Sequence, residues 1–207
     1  MSDSTLVKGA HIAATIIAAA ASGGIIGISV FTIPAITLPS RYATKGRTRE
    51  VTPGSAVSHM AHQWKATYDA GKIIFPSMAA ASGLLYSYVA YAVRDDPHGG
   101  LRMSNLYFTA ASLVVMIAPI TGVLILPVNE KIEPYVTRDD KLVVDEEGGK
   151  EEKKKLIALS SEEQLHRDQQ DSEFPGLLRK WAQLNAFRGL FPAIGAALGA
   201  TVGFGLI

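Results

Sequence analysis

Four stretches of this chain contain no Lys, Arg, Asp or Glu: Lys8 to Arg41, Lys72 to Arg94, Arg102 to Glu130, and everything after Arg188. A bilayer core of ~30 Å is crossed by about 20 helical residues, and inside it every backbone amide must be satisfied within its own segment. Each stretch is long enough to cross. The expected fold class is therefore all-α, an integral membrane four-helix bundle forming one domain over 1–207. The approximate spans are 10–38, 73–93, 105–128 and 189–207, with a charged loop over 130–175. A mean hydropathy of only +0.18 conceals this, because it averages very apolar blocks with very polar ones.

The first span, at roughly 30 residues, exceeds the ~7–15 of a signal-peptide core and is expected to stay attached as an anchor. It carries Gly23 and Gly27 at small-x-x-x-small spacing and is expected to end at Pro34 and Pro39. The last span carries Gly195, Gly199 and Gly203 at intervals of four, a second packing face on which a homo-oligomer could also be built. Tyr86, Tyr88, Tyr91, Tyr107 and Phe108 flank the tight turn between spans two and three and read as an interfacial aromatic belt. Basic residues concentrate in the 1–2 and 3–4 loops, which places those loops in the cytosol and both termini on the opposite side. Spans one and three both end in Pro-Ile-Thr-like runs, and spans two and four both open on a Trp-headed stripe, which suggests a parallel two-helix repeat.

Composition excludes several chemistries. A net charge of +1 offers no basic excess for nucleic acid, and the absence of cysteine removes disulfides, thiolate metal sites and a cysteine nucleophile. No phosphate-cradling glycine loop and no serine elbow occurs. His59 and His62 share a helix face, but no third ligand accompanies them in spacing, so no metal site is assigned.

What remains is a set of polar and aromatic groups at one end of the spans. Trp64, Tyr68, Gly71 and Phe75 form one helical stripe, with Lys65, Asp69 and Lys72 beside it; Trp181, Asn185, Arg188 and Pro192 form another. Asn129 emerges from span three on the same side. Polar groups at membrane depth are costly, so the convergence of His62, Trp64, Tyr68, Asn129, Trp181, Asn185 and Arg188 marks a candidate site. Two indoles supply flat walls, two amides supply donors, and a guanidinium supplies fixed charge, which suits a planar hydroxylated aromatic guest. Headgroup anchoring and ordinary inter-helix hydrogen bonds are the competing explanation of the same residues.

Trp64-x-x-x-Tyr68-x-x-Gly71 with Pro76, Ile117-Ala-Pro-Ile-Thr121 with Pro127-x-Asn129, and Leu178-Arg-Lys-Trp181-x-x-Leu-Asn185-x-x-Arg188 with Pro192 resemble the anthrone oxygenase family of fungal polyketide pathways. Ile120 stands where that pattern has an aromatic. The resemblance implies oxidation of a polyketide anthrone to an anthraquinone by dioxygen in an endomembrane such as the endoplasmic reticulum, with no cofactor. Under it His62 is the first choice of base and Asp69 the second. Trp64 and Trp181 would wall the rings, Tyr68 and Asn185 would orient phenol and ketone, Asn129 would support, and Arg188 would stabilise the enolate. A non-catalytic four-span scaffold and a carrier of apolar metabolites are the alternatives from other functional classes.

Overall fold

The structure, a computed structural model, describes residues 2–38, 53–96, 100–144 and 161–206, and no strand occurs among them. The helices are α1 (Ser2–Gly27), α2 (Ile33–Ile36), α3 (Pro53–Val93), α4 (Gly100–Val115), α5 (Ile117–Ile120), α6 (Leu126–Val144) and α7 (Ser161–Gly203). A π turn at Ile28–Thr32 joins α1 to α2, and another at Thr121–Ile125 joins α5 to α6. End to end they make four rods long and apolar enough to cross a membrane: Thr5–Ile36, Val57–Val93, Gly100–Arg138 and Leu165–Gly203. The protein is a four-span membrane bundle. Rods one and three each lie against rods two and four.

Proline bends these rods without ending them. Pro34 sits in the first turn of α2, where its missing donor is harmless, and the π turn before it absorbs the mismatch. The first rod instead ends in a turn at Thr37–Leu38, and Pro39 lies outside the described residues. Pro76, Pro175 and Pro192 are carried inside α3 and α7.

The rods also run further than their charge-free stretches. In the charge-dense region beyond Glu130, α6 continues to Val144 and α7 begins at Ser161. Apolar residues at helical spacing explain this: Val128, Ile132 and Val136 are buried against Phe174, Leu178 and Trp181, with Val57, Ala61 and Trp64 completing a second core. Lys65 Nζ to Glu133 Oε1 at 2.8 Å and Arg138 to Asp171 at 2.8 Å tie these extensions together. The run 145–160 and the side chains of 161–164 lie outside the described residues.

At the opposite end the packing is close. Gly199 lies against the Tyr86 ring and Gly203 against His11, while Gly195 approaches Ala110 and Val114. The glycine face of α7 is thus filled within the chain, whereas nothing lies within 4 Å of a Cβ built at Gly23 or Gly27. Tyr86 and Tyr107 are correspondingly buried, which corrects their reading as interfacial anchors; Tyr88, Tyr91 and Phe108 do face outward. Several side chains cross between helices to backbone oxygens. Ser22 donates to Gly189 O at 2.8 Å, Ser82 to Ala14 O at 2.8 Å, and His11 Nε2–H to Gly199 O at 2.9 Å.

Candidate functional site

Where the close-packed half meets the second core, the rods part around a cavity of about 160 Å³. It is lined by Ile28, Thr67, Tyr68, Gly71, Lys72, Phe75, Pro76, Ala118, Thr121, Trp181, Asn185 and Arg188. The stripes on α3 and α7 both face it, because residues three and four apart share a face. Phe75 forms part of the wall toward α1. Its ring fits only because Gly24 has no side chain, a Cβ there standing 2.7 Å from the ring edge.

The two π turns supply hydroxyls to the polar pair on α7. Ser29, in the first, donates to Ile25 O at 3.0 Å and accepts from Asn185 Nδ2 at 2.9 Å. The same amide donates to Ile25 O at 3.1 Å. Thr121, opening the second, donates to Ile117 O at 2.6 Å and accepts from Arg188 Nη1 at 2.8 Å. Arg188 Nη2 completes the chain by donating to Asn185 Oδ1 at 2.6 Å. Each acceptor in the series is neutral.

Arg188 is 7% exposed and, among the described residues, has no carboxylate within salt-bridge distance and no hydrogen-bond partner for its buried Nε. A buried guanidinium is always charged and is expensive to leave unpaired. The amides and hydroxyls hold it in place without neutralising it, so the cavity keeps a net positive wall.

The aromatic walls come in two layers. Trp64 stacks on Tyr68 with ring centroids 5.4 Å apart and meets Trp181 edge-on at 6.1 Å. Tyr68 and Trp181 line the cavity, while Trp64, fully buried, backs them. Asn129 likewise stands behind the wall, its Oδ1 accepting from Trp181 Nε1 at 2.8 Å and fixing the plane of that indole. Lys65 and Lys72 flank the Tyr68 ring, their ammonium groups 5.8 and 5.7 Å from its centroid.

The cavity thus gathers Tyr68, Trp181, Asn185 and Arg188, with Trp64 and Asn129 one layer out. His62 falls elsewhere. It precedes Lys72 by ten residues, about 15 Å along a helix, and it lies exposed with Nδ1–H donating to Ser58 O at 2.9 Å. His59 accepts from Gln63 Nε2 at 3.0 Å. Asp69 is bound by Lys72 at 2.6 Å and Lys65 at 3.6 Å and does not line the cavity. Among the described residues no three His, Asp or Glu side chains converge as metal ligands would.

Ser29, Thr67, Lys72 and Thr121 are site residues that pattern reading passed over. For Ser29 and Thr121 the available signal was a hydroxyl inside a charge-free span, since such groups bond across helices. For Lys72 it was position, the final charge before span two.

These features define a four-span membrane protein with an aromatic-walled, cation-bearing cavity at the junction of its two cores. Residues 64–198 match the sequence model of a family described as anthrone oxygenase, a match that covers the α3 and α7 stripes and the whole cavity-facing part of rod three. The chain is 23% identical over 187 residues to an anthrone oxygenase of Claviceps purpurea, covering 89% of this chain and 86% of that one. It is 29% identical over 178 residues to the monooxygenase hypC of Dothistroma septosporum, covering 86% and 74%. It is 25% identical over 178 residues to the anthrone oxygenase tpcL of Aspergillus fumigatus, covering 86% and 83%. No solved structure matches. The chain belongs to the anthrone oxygenase family and is an oxygenase.

Proposed function

We propose that this oxygenase converts a polyketide anthrone to the corresponding anthraquinone with dioxygen, using no resident cofactor. The observation that carries the reading is the buried, un-neutralised Arg188 in an otherwise apolar, aromatic-walled cavity. The methylene of an anthrone loses a proton to give an anion spread over three rings, with most charge on the ketone oxygen. That oxygen is the group a guanidinium stabilises. The anion passes one electron to dioxygen, the resulting radical pair combines as a hydroperoxide at the former methylene carbon, and loss of water leaves the second ketone. One anthrone and one dioxygen give one anthraquinone and one water.

Tyr68 and Trp181 hold the ring plane, Trp64 and Asn129 stiffen them from behind, and Asn185 orients Arg188. At about 160 Å³ the cavity is smaller than the ~300–1,000 Å³ of pockets that enclose a drug-sized ligand, so a tricyclic guest lies partly in the mouth beside Lys72. Among the described residues no imidazole or carboxylate lines the cavity. The base role that the sequence suggested for His62 or Asp69 is therefore assigned to solvent at the mouth, with Arg188 lowering the barrier by stabilising the anion.

Purified protein in nanodiscs, dialysed against EDTA, should form anthraquinone from an anthrone well above the rate in empty discs, with one atom of ¹⁸O₂ in the new carbonyl. Turnover that appears only on adding a divalent ion, or label drawn from water, would remove the cofactor-independent assignment; no acceleration would favour a scaffold or carrier.

The loop bias toward Lys and Arg supports a topology with both charged loops in the cytosol, in an endomembrane such as the endoplasmic reticulum. In sealed vesicles, an impermeant thiol reagent should label Thr48→Cys and Lys153→Cys together and Ser2→Cys only after permeabilisation. Joint labelling of Ser2→Cys and Lys153→Cys would overturn this topology.

A further inference from the structure

The cavity holds a second cation that the functional reading above does not use. Lys72 lines it alongside Arg188, and no acidic residue lines it among the described residues. Lys72 belongs to a chain of ion pairs with Asp69, Lys65 and Glu133. Asp69 pairs with both lysines, and Glu133 pairs with Lys65, both carboxylates being about half exposed. Asp69 occupies one of the three ammonium protons of Lys72, which leaves donors free for a guest. Deeper in, Arg188 lines the cavity with a guanidinium whose hydrogen-bonded partners are all neutral.

We propose that Lys72 and Arg188 form a two-cation site that takes the aromatic guest as its anion, Arg188 meeting an oxygen at the buried end and Lys72 one at the mouth. The guest class is thus an acidic polycycle: a phenol, enol or carboxylic acid on a flat ring system. The inference rests on the proposed oxygenation for its choice of guest, but its physical content is independent of turnover. Two cations line the space against one carboxylate, Asp69, held by Lys72 and outside the lining, and this balance favours the charged form of whatever acid enters. They also explain how a cavity without a base can act on a weak carbon acid. Lys72 is a specificity-determining residue on this account, and guests with no ionisable group are poor ligands.

A product-like ligand tests this without chemistry, because 1,8-dihydroxyanthraquinone turns from yellow to red when a phenol ionises. Its visible spectrum is titrated with the protein in nanodiscs, and in empty discs as reference. The midpoint of ionisation is expected at least about one pH unit lower with wild-type protein, a tenfold preference for the anion. Lys72→Met should recover about half or more of that shift, Lys72→Arg should keep it, and the exposed Lys8→Gln should be indistinguishable from wild type. Lys72 is about half exposed, so its variants fold.

A midpoint equal to that in empty discs, or one unmoved by Lys72→Met, overturns the two-cation site. Oxygen uptake with an anthrone, followed in the same preparations, separates the two readings. A lowered midpoint without turnover keeps the anion site and sinks the oxygenation. Turnover with an unshifted midpoint does the reverse.

Discussion

Arg188→Lys is expected to insert and fold like wild type and yet lose at least about tenfold in turnover, with Arg188→Gln losing about 100- to 1,000-fold. The guanidinium reaches Thr121 with one terminal nitrogen and Asn185 with the other, which fixes its plane beside the cavity that the residue lines. A lysine ammonium carries the same charge but cannot span both partners and still present a donor at that point. If Arg188 merely anchored α7 to headgroups, lysine would serve equally, since a snorkelling ammonium satisfies that role. The measurement is anthraquinone formation at matched membrane abundance, with Lys8→Gln as control. Wild-type rates in Arg188→Lys would return this residue to an anchoring role.

Asn185→Asp should be nearly as damaging, by about 100-fold or more, for the opposite reason. Asn185 Oδ1 accepts from Arg188 Nη2 at 2.6 Å, so a carboxylate in its place forms a charge-assisted pair with the guanidinium. Both amide bonds, to Ser29 and to Ile25 O, are lost; the Ser29 hydroxyl can rotate to donate to the new oxygen, whereas Ile25 O is left facing a carboxylate without a donor. The ion pair with Arg188 offsets part of that loss, so the variant should still fold, with a melting temperature near or somewhat below that of wild type, while the positive wall is neutralised. Asn185→Ala is the companion. It removes the orienting amide, leaves the charge, and should lose turnover and stability together. Full activity in Asn185→Asp would show that the net charge of the cavity is irrelevant to the reaction.

The bundle was legible because the bilayer imposes a coarse rule: long runs without charge must be helices, and four such runs follow directly from the sequence. The α7 stripe was legible for a similar reason, as Trp181, Asn185 and Arg188 fall on one face by helical period alone. Depth was harder to read. His62, Trp64 and Asn129 belong to the same end of the bundle as the cavity, but whether a group lies in a wall, behind it or outside depends on where the rods separate. That in turn depends on π turns, which no periodicity announces. Ser29 and Thr121 enter the site through those turns. The helical extensions beyond the apolar runs were obscured by charge: Val128, Ile132 and Val136 keep helical spacing among Glu130, Lys131 and Glu133, where composition outweighed period. Tyr86 and Tyr107 were misplaced because tyrosine at a span end looks alike whether it faces lipid or a neighbouring glycine.

Four of the bonds that cross between helices share a property that the Thr15–Tyr86 hydroxyl pair, side chain to side chain at 3.0 Å, does not. Ser22, Ser82, His11 and Asn185 all donate to main-chain oxygens, at Gly189, Ala14, Gly199 and Ile25. A side-chain acceptor can be lost by one mutation, whereas a main-chain carbonyl is present whatever residue occupies the position. Each lock therefore has one heritable half and one that substitution does not remove. The accepting positions answer only for bulk, as at Gly199, and not for chemistry. A lineage can rewrite much of what α1 and α7 show to each other while the helices stay fastened at the same heights.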